Sequence, residues 1–318
     1  PASAGSVGES SSRFPAAARL AVISLALLVL LVVMQPGRSS AAQPCDNGDG
    51  MVAQWGFEES PLTALTALDS AGGTTLHNAT LSTGTAPIAV RVAPGAPSSA
   101  SPAQALSLSL TGGIDYASVP DETCISAGVS TAITLSTWIK PNLAATTQNV
   151  LKKAATVSVG GTPITTGYEL LLAGGGFVSF RVNQLTSGDT FRVNSGIAYP
   201  TTGTTWMHIA GVYDGTTMRI YINGVEDLTA AAPLTSGRAG PASIVTNTLP
   251  FRIGTDSSVT PQSGFSGQLD DVRVYNRALS ASEILCVAGG TCPTPTPTVA
   301  ATPTFTAAPT VTPTPTAT

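Results

Sequence analysis

Short runs in which apolar and polar residues alternate recur through the middle of the chain. Leu106, Leu108 and Leu110, for example, are separated by single serines. Successive side chains of a strand point to opposite faces, so this alternation predicts a strand with one buried face. Strands are predicted in this way at Met51–Phe57, Ala105–Leu110, Tyr116–Val119, Ala132–Lys140, Tyr168–Ala173, Phe177–Asn183, Phe191–Asn194, Phe251–Gly254 and Leu269–Tyr275.

The segment Trp206–Leu228 carries the strongest turn signals. Its apolar runs end at Asp214-Gly215 and at Asn223-Gly224. Both central residues of a type I′ turn need positive φ, so an Asx-Gly pair between strand-like runs predicts a tight hairpin. The segment therefore predicts three consecutive antiparallel strands.

A helix is predicted at one place. Ser280 and Glu283 have the spacing of a capping box, which predicts a short helix through Leu285. Many strands with frequent turns and one helix near the end favour an all-β fold, an antiparallel β-sandwich. Residues 51–292 contain no linker-like break, so we expect a single large domain there.

The N-terminal region differs in composition from the middle of the chain. Arg13 and Arg19 precede the apolar run Leu20–Met34, and small residues follow as far as Ala42. This order is typical of a secretory signal, so residues 1–42 are predicted to be a signal peptide and residues 43–50 a linker. The alternative is a retained membrane anchor, although a span needs about 20 apolar residues.

After Cys292 the chain consists of Thr, Pro, Ala and Val with a single Phe305. Such P-T-P-T repeats favour extended polyproline II and cannot form a core. Residues 293–318 are therefore predicted to be a disordered linker to another part of a larger extracellular protein. A disordered tail that joins nothing is the alternative.

Charged residues make up 10% of the chain and its net charge is −4. Nucleic-acid binding needs a clustered basic surface, so this composition argues against a nucleic-acid partner. The four cysteines, Cys45, Cys124, Cys286 and Cys292, follow a predicted signal peptide and therefore predict two disulfides. Three pairings are possible, and the local pair Cys286–Cys292 is slightly favoured.

Six segments of the chain, in this order, resemble the laminin G-like jelly rolls of the concanavalin A-like superfamily. They are Val52–Glu59 (V-A-Q-W-G-F-E-E), Asp69–Gly72 (D-S-A-G), Leu108–Pro120, Leu135–Pro141 (L-S-T-W-I-K-P), Trp206–Leu228 and Gly264–Ser280 (G-F-S-G-Q-L-D-D-V-R-V-Y-N-R-A-L-S). The resemblance implies a jelly roll, secreted or held at the cell surface, that binds an extracellular glycan or protein ligand. Thr111 replaces an Asp of the family pattern, so no role of that carboxylate carries over.

The resemblance also implies a structural Ca²⁺ near the junction of the first and last strands. Glu58, Asp69 and Asp270 are its candidate oxygen ligands, completed by backbone carbonyls and water. Asp270 is predicted to share a strand face with Val272 and Val274, and a buried carboxylate needs a partner. A hydrogen-bonded Asp without a metal is the alternative.

The aromatic residues and the histidines are interpreted as structural. Trp55, Trp138 and Trp206 are predicted to pack in the core rather than to stack on sugar rings. His208 shares an apolar strand face, so it is predicted to be a buried core residue, whereas His77 is placed in a loop without an identifiable partner.

No catalytic arrangement is visible in the sequence. Glycoside hydrolysis needs two carboxylates on one wall of a cleft, whereas Asp270 and Asp271 are predicted to point to opposite faces. No Ser/His/Asp or Cys/His set is visible. We therefore expect a non-catalytic module that binds carbohydrate or protein surfaces. A ligand site in folds of this family usually lies on loops or on the concave face, but loops such as Thr156–Thr166 and Arg238–Thr248 contain no diagnostic aromatic or charged cluster. The alternatives are a structural or adhesive spacer domain and a concanavalin A-like glycoside hydrolase or lyase.

Overall fold

A computed structural model describes residues 46–82, 89–97, 105–126, 129, 131–142, 146–159, 162–183, 191–258 and 262–292. The predicted signal peptide 1–42, Cys45 and the Thr/Pro-rich segment 293–318 lie outside the described residues. The signal peptide, the linkers and the domain boundaries at 51 and 292 therefore stay predictions.

Two antiparallel sheets form the sandwich, with nine strands in sheet A and eight in sheet B within the described residues. Numbered in chain order, the strands of sheet A are β1 (Met51–Trp55), β4 (Val90–Val92), β5 (Ser107–Thr111), β7 (Ile133–Pro141), β12 (Met207–Tyr213), β13 (Thr217–Ile222), β14 (Val225–Glu226), β15 (Arg238–Ala239) and β17 (Ser266–Tyr275). The strands of sheet B are β2 (Thr66–Ala67), β3 (Ala79–Leu81), β6 (Ala117–Val119), β8 (Gln148–Val159), β9 (Thr162–Leu172), β10 (Phe177–Val182), β11 (Arg192–Ala198) and β16 (Phe251–Ile253).

The strand order confirms the predicted all-β jelly roll. Sheet A runs β14-β13-β12-β7-β17-β5-β4, with β1 beside β17 and β15 beside β13. Sheet B runs β11-β10-β9-β8-β16-β6-β3-β2. The first and last strands pair antiparallel, with Met51 opposite Tyr275 and Trp55 opposite Val272.

The core lies between the two sheets and is built from the alternate, inward residues of their strands. Trp55 of β1 stacks on Phe251 of β16 with ring centroids 5.7 Å apart, and Tyr168 of β9 lies 6.2 Å from the same ring. Trp55 and Phe251 are fully buried. Burying side chains of this size stabilises the fold by about 1.5–3 kcal/mol each.

Two short helices are present in the described residues, α1 (Thr123–Ser126) and α2 (Ala281–Val287). The capping box that was predicted for α2 is confirmed: the Ser280 side chain accepts from Glu283 N, and the Glu283 side chain accepts from Ser280 N. Helix α2 ends two residues beyond Leu285, and α1 was not predicted. Ile284 and Val287 of α2 pack on the outer face of sheet A.

Strand β8 is absent from the sequence prediction. Its pairing with β9 shifts register between Asn149 and Leu151, and this bulge interrupts the alternation of apolar and polar residues. The segment Thr156–Thr166 was expected to be a loop, but residues 156–159 belong to β8 and residues 162–166 belong to β9. The segment Arg238–Thr248 is irregular beyond β15.

The two predicted Asx-Gly turns differ. Asn223 and Gly224 have φ of 50° and 82°, as a type I′ turn requires. At the other turn only Gly215 has positive φ, at 94°. There the Asp214 carboxylate stabilises the turn by accepting hydrogen bonds from the backbone N–H groups of Thr216 and Thr217, at 3.0 and 2.7 Å.

The local disulfide Cys286–Cys292 is confirmed, with 4.3 Å between its Cα atoms, and Cys124 is also disulfide-bonded. Within the described ranges, no helix combines the length and the hydropathy that a membrane span would need.

Candidate functional site

A continuous row of polar side chains crosses the outer face of sheet B. Residues opposite each other on antiparallel neighbours share a face of the sheet, so a row can be followed from one register pair to the next. This polar row consists of Thr66 (β2), Thr80 (β3), Ser118 (β6), Arg252 (β16), Lys152 (β8), Glu169 (β9), Arg181 (β10) and Arg192 (β11).

The flanking residues show why the row faces outwards. Phe251 and Ile253 on either side of Arg252 are fully buried in the core, as are Tyr168 and Leu170 beside Glu169. Because the side-chain period of a strand is two residues, the residue between two inward side chains points to the other face. The apolar core therefore determines the position of each charged residue.

The part of the polar row from β16 to β11 is charged, and we call it the basic row. It contains four cationic side chains and one carboxylate, which gives it a formal charge of +3 in a chain whose net charge is −4. With about 4.8 Å between neighbouring strands, the basic row extends over about 19 Å. Its members are Arg252, Lys152, Glu169, Arg181 and Arg192.

Glu169 holds two of these cations in place. Its Oε2 lies 2.8 Å from Lys152 Nζ and its Oε1 lies 3.1 Å from Arg181 Nη1. Burial by itself would raise the pKa of Glu169, but the charges of Lys152 and Arg181 outweigh burial and lower this pKa. The carboxylate therefore stays ionised at neutral pH, and the two partly exposed cations are fixed at a buried anchor.

Arg252 lies over an aromatic ring at the other end of the basic row. Its Cζ is 4.1 Å from the centroid of Tyr116, a distance at which a cation–π interaction orients the guanidinium. In the part of the chain that the structure describes, the Nε atoms of Arg252 and Arg181 have no hydrogen-bond partner. Both Nε atoms are themselves buried, so a ligand would contact the remaining, partly exposed portion of these side chains.

A second row lies beside the basic row, one outward position further along the strands. It consists of Asn149 (β8), Leu171 (β9), Ser179 (β10) and Asn194 (β11), all of them buried. Ser179 Oγ and Asn194 Oδ1 have no hydrogen-bond partner among the described residues. Buried polar atoms are normally satisfied, so these two mark a place where the fold leaves polar groups unused.

Lys153 explains how β8 presents Lys152 outwards. It is the next residue along the strand and points inwards opposite Tyr168. Its Nζ donates to Asp121 Oδ1 at 2.6 Å and also to the backbone carbonyls of Asn247 and Leu249. This buried anchor fixes which of the two adjacent lysines faces solvent.

The outer face of sheet A differs, because its polar residues are covered. Ser136 Oγ lies 2.8 Å from His208 Nε2, and both residues are fully buried. Burial lowers the pKa of His208 to about 3, so this imidazole is neutral at neutral pH. The sequence predicts no Ser/His set, yet β7 and β12 bring these two residues together.

This Ser–His pair does not form a catalytic triad. His208 Nδ1 has no hydrogen-bond partner among the described residues. The Asp271 carboxylate accepts from Gln54 Nε2 and Arg273 Nε, each at 2.8 Å. A triad needs its carboxylate on the second imidazole nitrogen, so we interpret this group as a structural polar cluster. The prediction of a buried His208 is confirmed.

The three tryptophans do not share one environment. Trp55 is a core residue, as predicted. Trp138 is buried but lies on the outer face of sheet A, 5.5 Å from the His208 ring. The prediction of core packing is wrong for Trp206, which is partly exposed and lies under Lys140 Nζ at 4.9 Å.

The predicted calcium ligand Asp69 has a different role. Its Oδ1 accepts from Gln54 N and Ala71 N at 2.9 Å each, and its Oδ2 accepts from His77 N at 3.0 Å. Three backbone donors already use this carboxylate, so Asp69 does not fit a calcium shell. His77 is also not a loop residue without a partner: it is fully buried, and its Nδ1 bonds Glu122 Oε2.

A bulge changes the predicted position of Asp270. The register shifts between Asp270 and Arg273, so Asp270 lies opposite Trp138 while Val274 lies opposite Leu135. Asp271, within this bulge, has φ of 46°. The prediction that Asp270 shares a face with Val272 and Val274 is therefore wrong. The prediction that Asp270 and Asp271 point to opposite faces assumed regular alternation along the strand, and the bulge breaks that alternation.

Asp270 and Glu58 lie near each other. Burial raises the pKa of Asp270 to about 8, with further contributions from the charges of Asp271 and Glu58. Asp270 Oδ2 accepts from Ala96 N at 2.6 Å, and Glu58 Oε1 accepts from the backbone of residues 105 and 106. Two adjacent carboxylates suit a cation, but no group of three or more possible His, Cys, Asp or Glu ligands occurs among the described residues. Calcium stays a prediction for this pair.

A sequence model of the concanavalin A-like lectin/glucanases superfamily (Laminin_G_3) matches residues 111–285, which is more than half of the chain. No curated protein matches the sequence.

Solved structures with a similar fold include domain 4 of a GH43 extracellular arabinanase from Geobacillus stearothermophilus in complex with arabinotriose (20% identity, TM-score 0.47, 75% of this chain and 98% of that chain). A Trypanosoma rangeli sialidase aligns at 14% identity with a TM-score of 0.48, covering 84% of this chain and 38% of that one. The ligand-binding domain of botulinum neurotoxin serotype D aligns at 12% identity with a TM-score of 0.47, covering 76% of this chain and 50% of that one. All three TM-scores lie below 0.5, so these alignments identify no ligand for this chain.

Proposed function

Because the chain belongs to the concanavalin A-like lectin/glucanases superfamily, we propose that it is a non-catalytic recognition module that binds carbohydrate along the polar row of sheet B. The observation that carries this proposal is the row itself, in which hydroxyl, carboxylate, ammonium and guanidinium groups line one sheet face. These groups donate and accept the hydrogen bonds that sugar hydroxyls form.

The carboxylates favour binding over catalysis. A glycosidase needs an acid and a second carboxylate about 5–10 Å apart across the scissile bond. On the outer face of the described strands β16 to β11, the carboxylate present is Glu169, which is buried and paired with two cations. A carboxylate whose pKa is lowered in this way is a poor general acid at neutral pH.

We further propose that the module acts outside the cell, in the secreted or cell-surface location expected from the sequence. The disulfide Cys286–Cys292 supports this location, because such bonds persist in oxidising compartments. The Thr/Pro-rich segment 293–318 would then connect the domain to a further part of a larger protein. A structural or adhesive spacer is the alternative role.

A glycan array with the purified chain tests the proposal, with one blocked variant and one control. Ser118→Trp places a bulky uncharged side chain in the middle of the polar row, and Val225→Trp places the same side chain on β14 of sheet A, where Val225 is 65% exposed. We expect selective binding that Ser118→Trp weakens at least tenfold and Val225→Trp leaves unchanged. A blank array would favour the spacer, and release of reducing sugar would favour the enzyme.

A further inference from the structure

We propose that the carbohydrate bound by the basic row is an anionic polysaccharide, with carboxylate or sulfate groups on successive sugars. This inference rests on the proposed function and specifies its ligand class. The site consists of Arg252, Lys152, Arg181 and Arg192 arranged around the buried Glu169.

The distribution of charge supports an anionic ligand. The chain has 14 Lys and Arg residues against 18 Asp and Glu residues, yet four of the basic residues meet in one row of five side chains. Glu169 contacts two of these cations, Lys152 and Arg181. Like charges held side by side repel each other, and an anionic ligand relieves this repulsion.

The chemistry of the cations supports carboxylate or sulfate as the partner. Three of the four are arginines, whose planar guanidinium groups bind such oxyanions through paired N–H donors. Arg181 uses Nη1 for Glu169 and Arg252 lies on Tyr116. Each guanidinium is thus held in one orientation by a contact within the sheet.

The shape of the site supports a chain rather than a single sugar. The basic row is about 19 Å long and perpendicular to the strands. It continues into the hydroxyl groups of Ser118, Thr80 and Thr66, of which the last two are exposed. A linear polymer can follow this line, with its acidic groups over the cations and its hydroxyl groups over the neutral half.

A nucleic acid fits the same face less well. Binding of single strands relies on aromatic side chains on which bases stack. In the described part of this face, the ring of Tyr116 is covered by Arg252. The Tyr116 ring is therefore not available as a stacking platform for bases.

The experiment is a binding titration of the intact chain with four probes: polygalacturonate, chondroitin sulfate, the neutral polymer dextran and single-stranded DNA. The variant Lys152→Gln/Arg252→Gln removes two charges from the basic row. Lys140→Gln is the matched control, since Lys140 lies on sheet A over Trp206. Thermal unfolding of each variant is measured alongside.

We expect at least one acidic polysaccharide to bind, with an affinity that falls as salt rises. The double variant should weaken this binding at least tenfold and Lys140→Gln less than twofold, with all variants folded. If only a neutral glycan on the array binds, the carbohydrate-binding function stands and this inference is wrong. Equal binding of DNA, or equal loss in Lys140→Gln, would show non-specific charge attraction and also overturn it. If no glycan of any kind binds, both proposals fail.

Discussion

The outer faces of the two sheets are built by the same alternation but are used differently. On sheet A, helix α2 packs over the outer face, and polar residues such as Ser136 and His208 are fully buried and bonded to each other. On sheet B, charged residues such as Lys152 and Arg181 keep about a fifth of their side chains exposed. On the outer face of sheet A polar groups are therefore bonded to internal partners, whereas on sheet B some charged side chains stay partly exposed to solvent.

The adjacent lysines of β8 give the sharpest test of this difference, because Lys153 points into the core and Lys152 belongs to the basic row on the outer face of sheet B. Lys153→Met should lower the free energy of unfolding by about 3 kcal/mol, since Asp121 and two backbone carbonyls would lose their cation. Lys152→Met should cost less than about 1 kcal/mol, because Lys152 is partly exposed. Urea unfolding of both variants checks this; equal losses would contradict the assignment of their faces.

Binding of Ca²⁺ by Glu58 and Asp270 would add a cation to sheet A and so change the comparison between the two sheets. If Glu58 and Asp270 bind it, a hundredfold excess over the dissociation constant should stabilise the chain by about 2.7 kcal/mol. Differential scanning calorimetry with Ca²⁺ and with a chelator measures this, and Asp270→Asn is the control that should remove the response. An unchanged melting temperature would leave Asp270 as a hydrogen-bonded residue without a metal.

Lowering the pH should destabilise the folded chain through His208, which is buried on the outer face of sheet A. Its pKa falls from 6.5 in the unfolded chain to about 3 in the folded one because it is buried. Below pH 6.5 the unfolded chain therefore binds a proton that the folded chain does not, and stability falls as pH falls. Between pH 6.5 and 4.5 we expect the wild type to lose about 2 kcal/mol relative to His208→Gln. Parallel pH dependence of the two proteins in denaturant titrations would argue against a buried neutral imidazole.

The smallest expected effect concerns helix α2, which covers the outer face of sheet A. Ser280→Ala removes the N-cap of α2 and should cost about 1 kcal/mol, whereas Ser282→Ala, two residues into the same turn, should cost less. Hydrogen exchange of the α2 amides is the measurement. Faster exchange in Ser280→Ala that also spreads to β12 would show that α2 protects the outer face of sheet A.

Much of the fold could be predicted from the sequence, since strands with one regular buried face, such as β5 and β7, show clear alternation. The turn at Asn223-Gly224 and the capping box of α2 are equally local signals. Strand β8 could not be found in this way, because its bulge and the inward Lys153 hide the period. The bulge at Asp270–Arg273 likewise reversed a prediction that depended on counting residues along a strand.

The candidate site was beyond sequence reasoning for a different reason. Its five charged residues come from five strands and are separated by as many as 100 positions, from Lys152 to Arg252. No local motif connects these residues, and the net charge of −4 gives no indication of a basic surface. Only the register of sheet B assembles the cations, so composition could not reveal the row.

The pairing of β1 with β17 places Met51 opposite Tyr275, so the entrance and exit of the folded domain are neighbours. A short peptide joining them would close the backbone into a circle. New termini could then be cut at the exposed hairpin tip around Gly175, far along the chain from both Met51 and Tyr275. Such a circularly permuted protein would keep every strand neighbour and would carry fused cargo at the turn between β9 and β10.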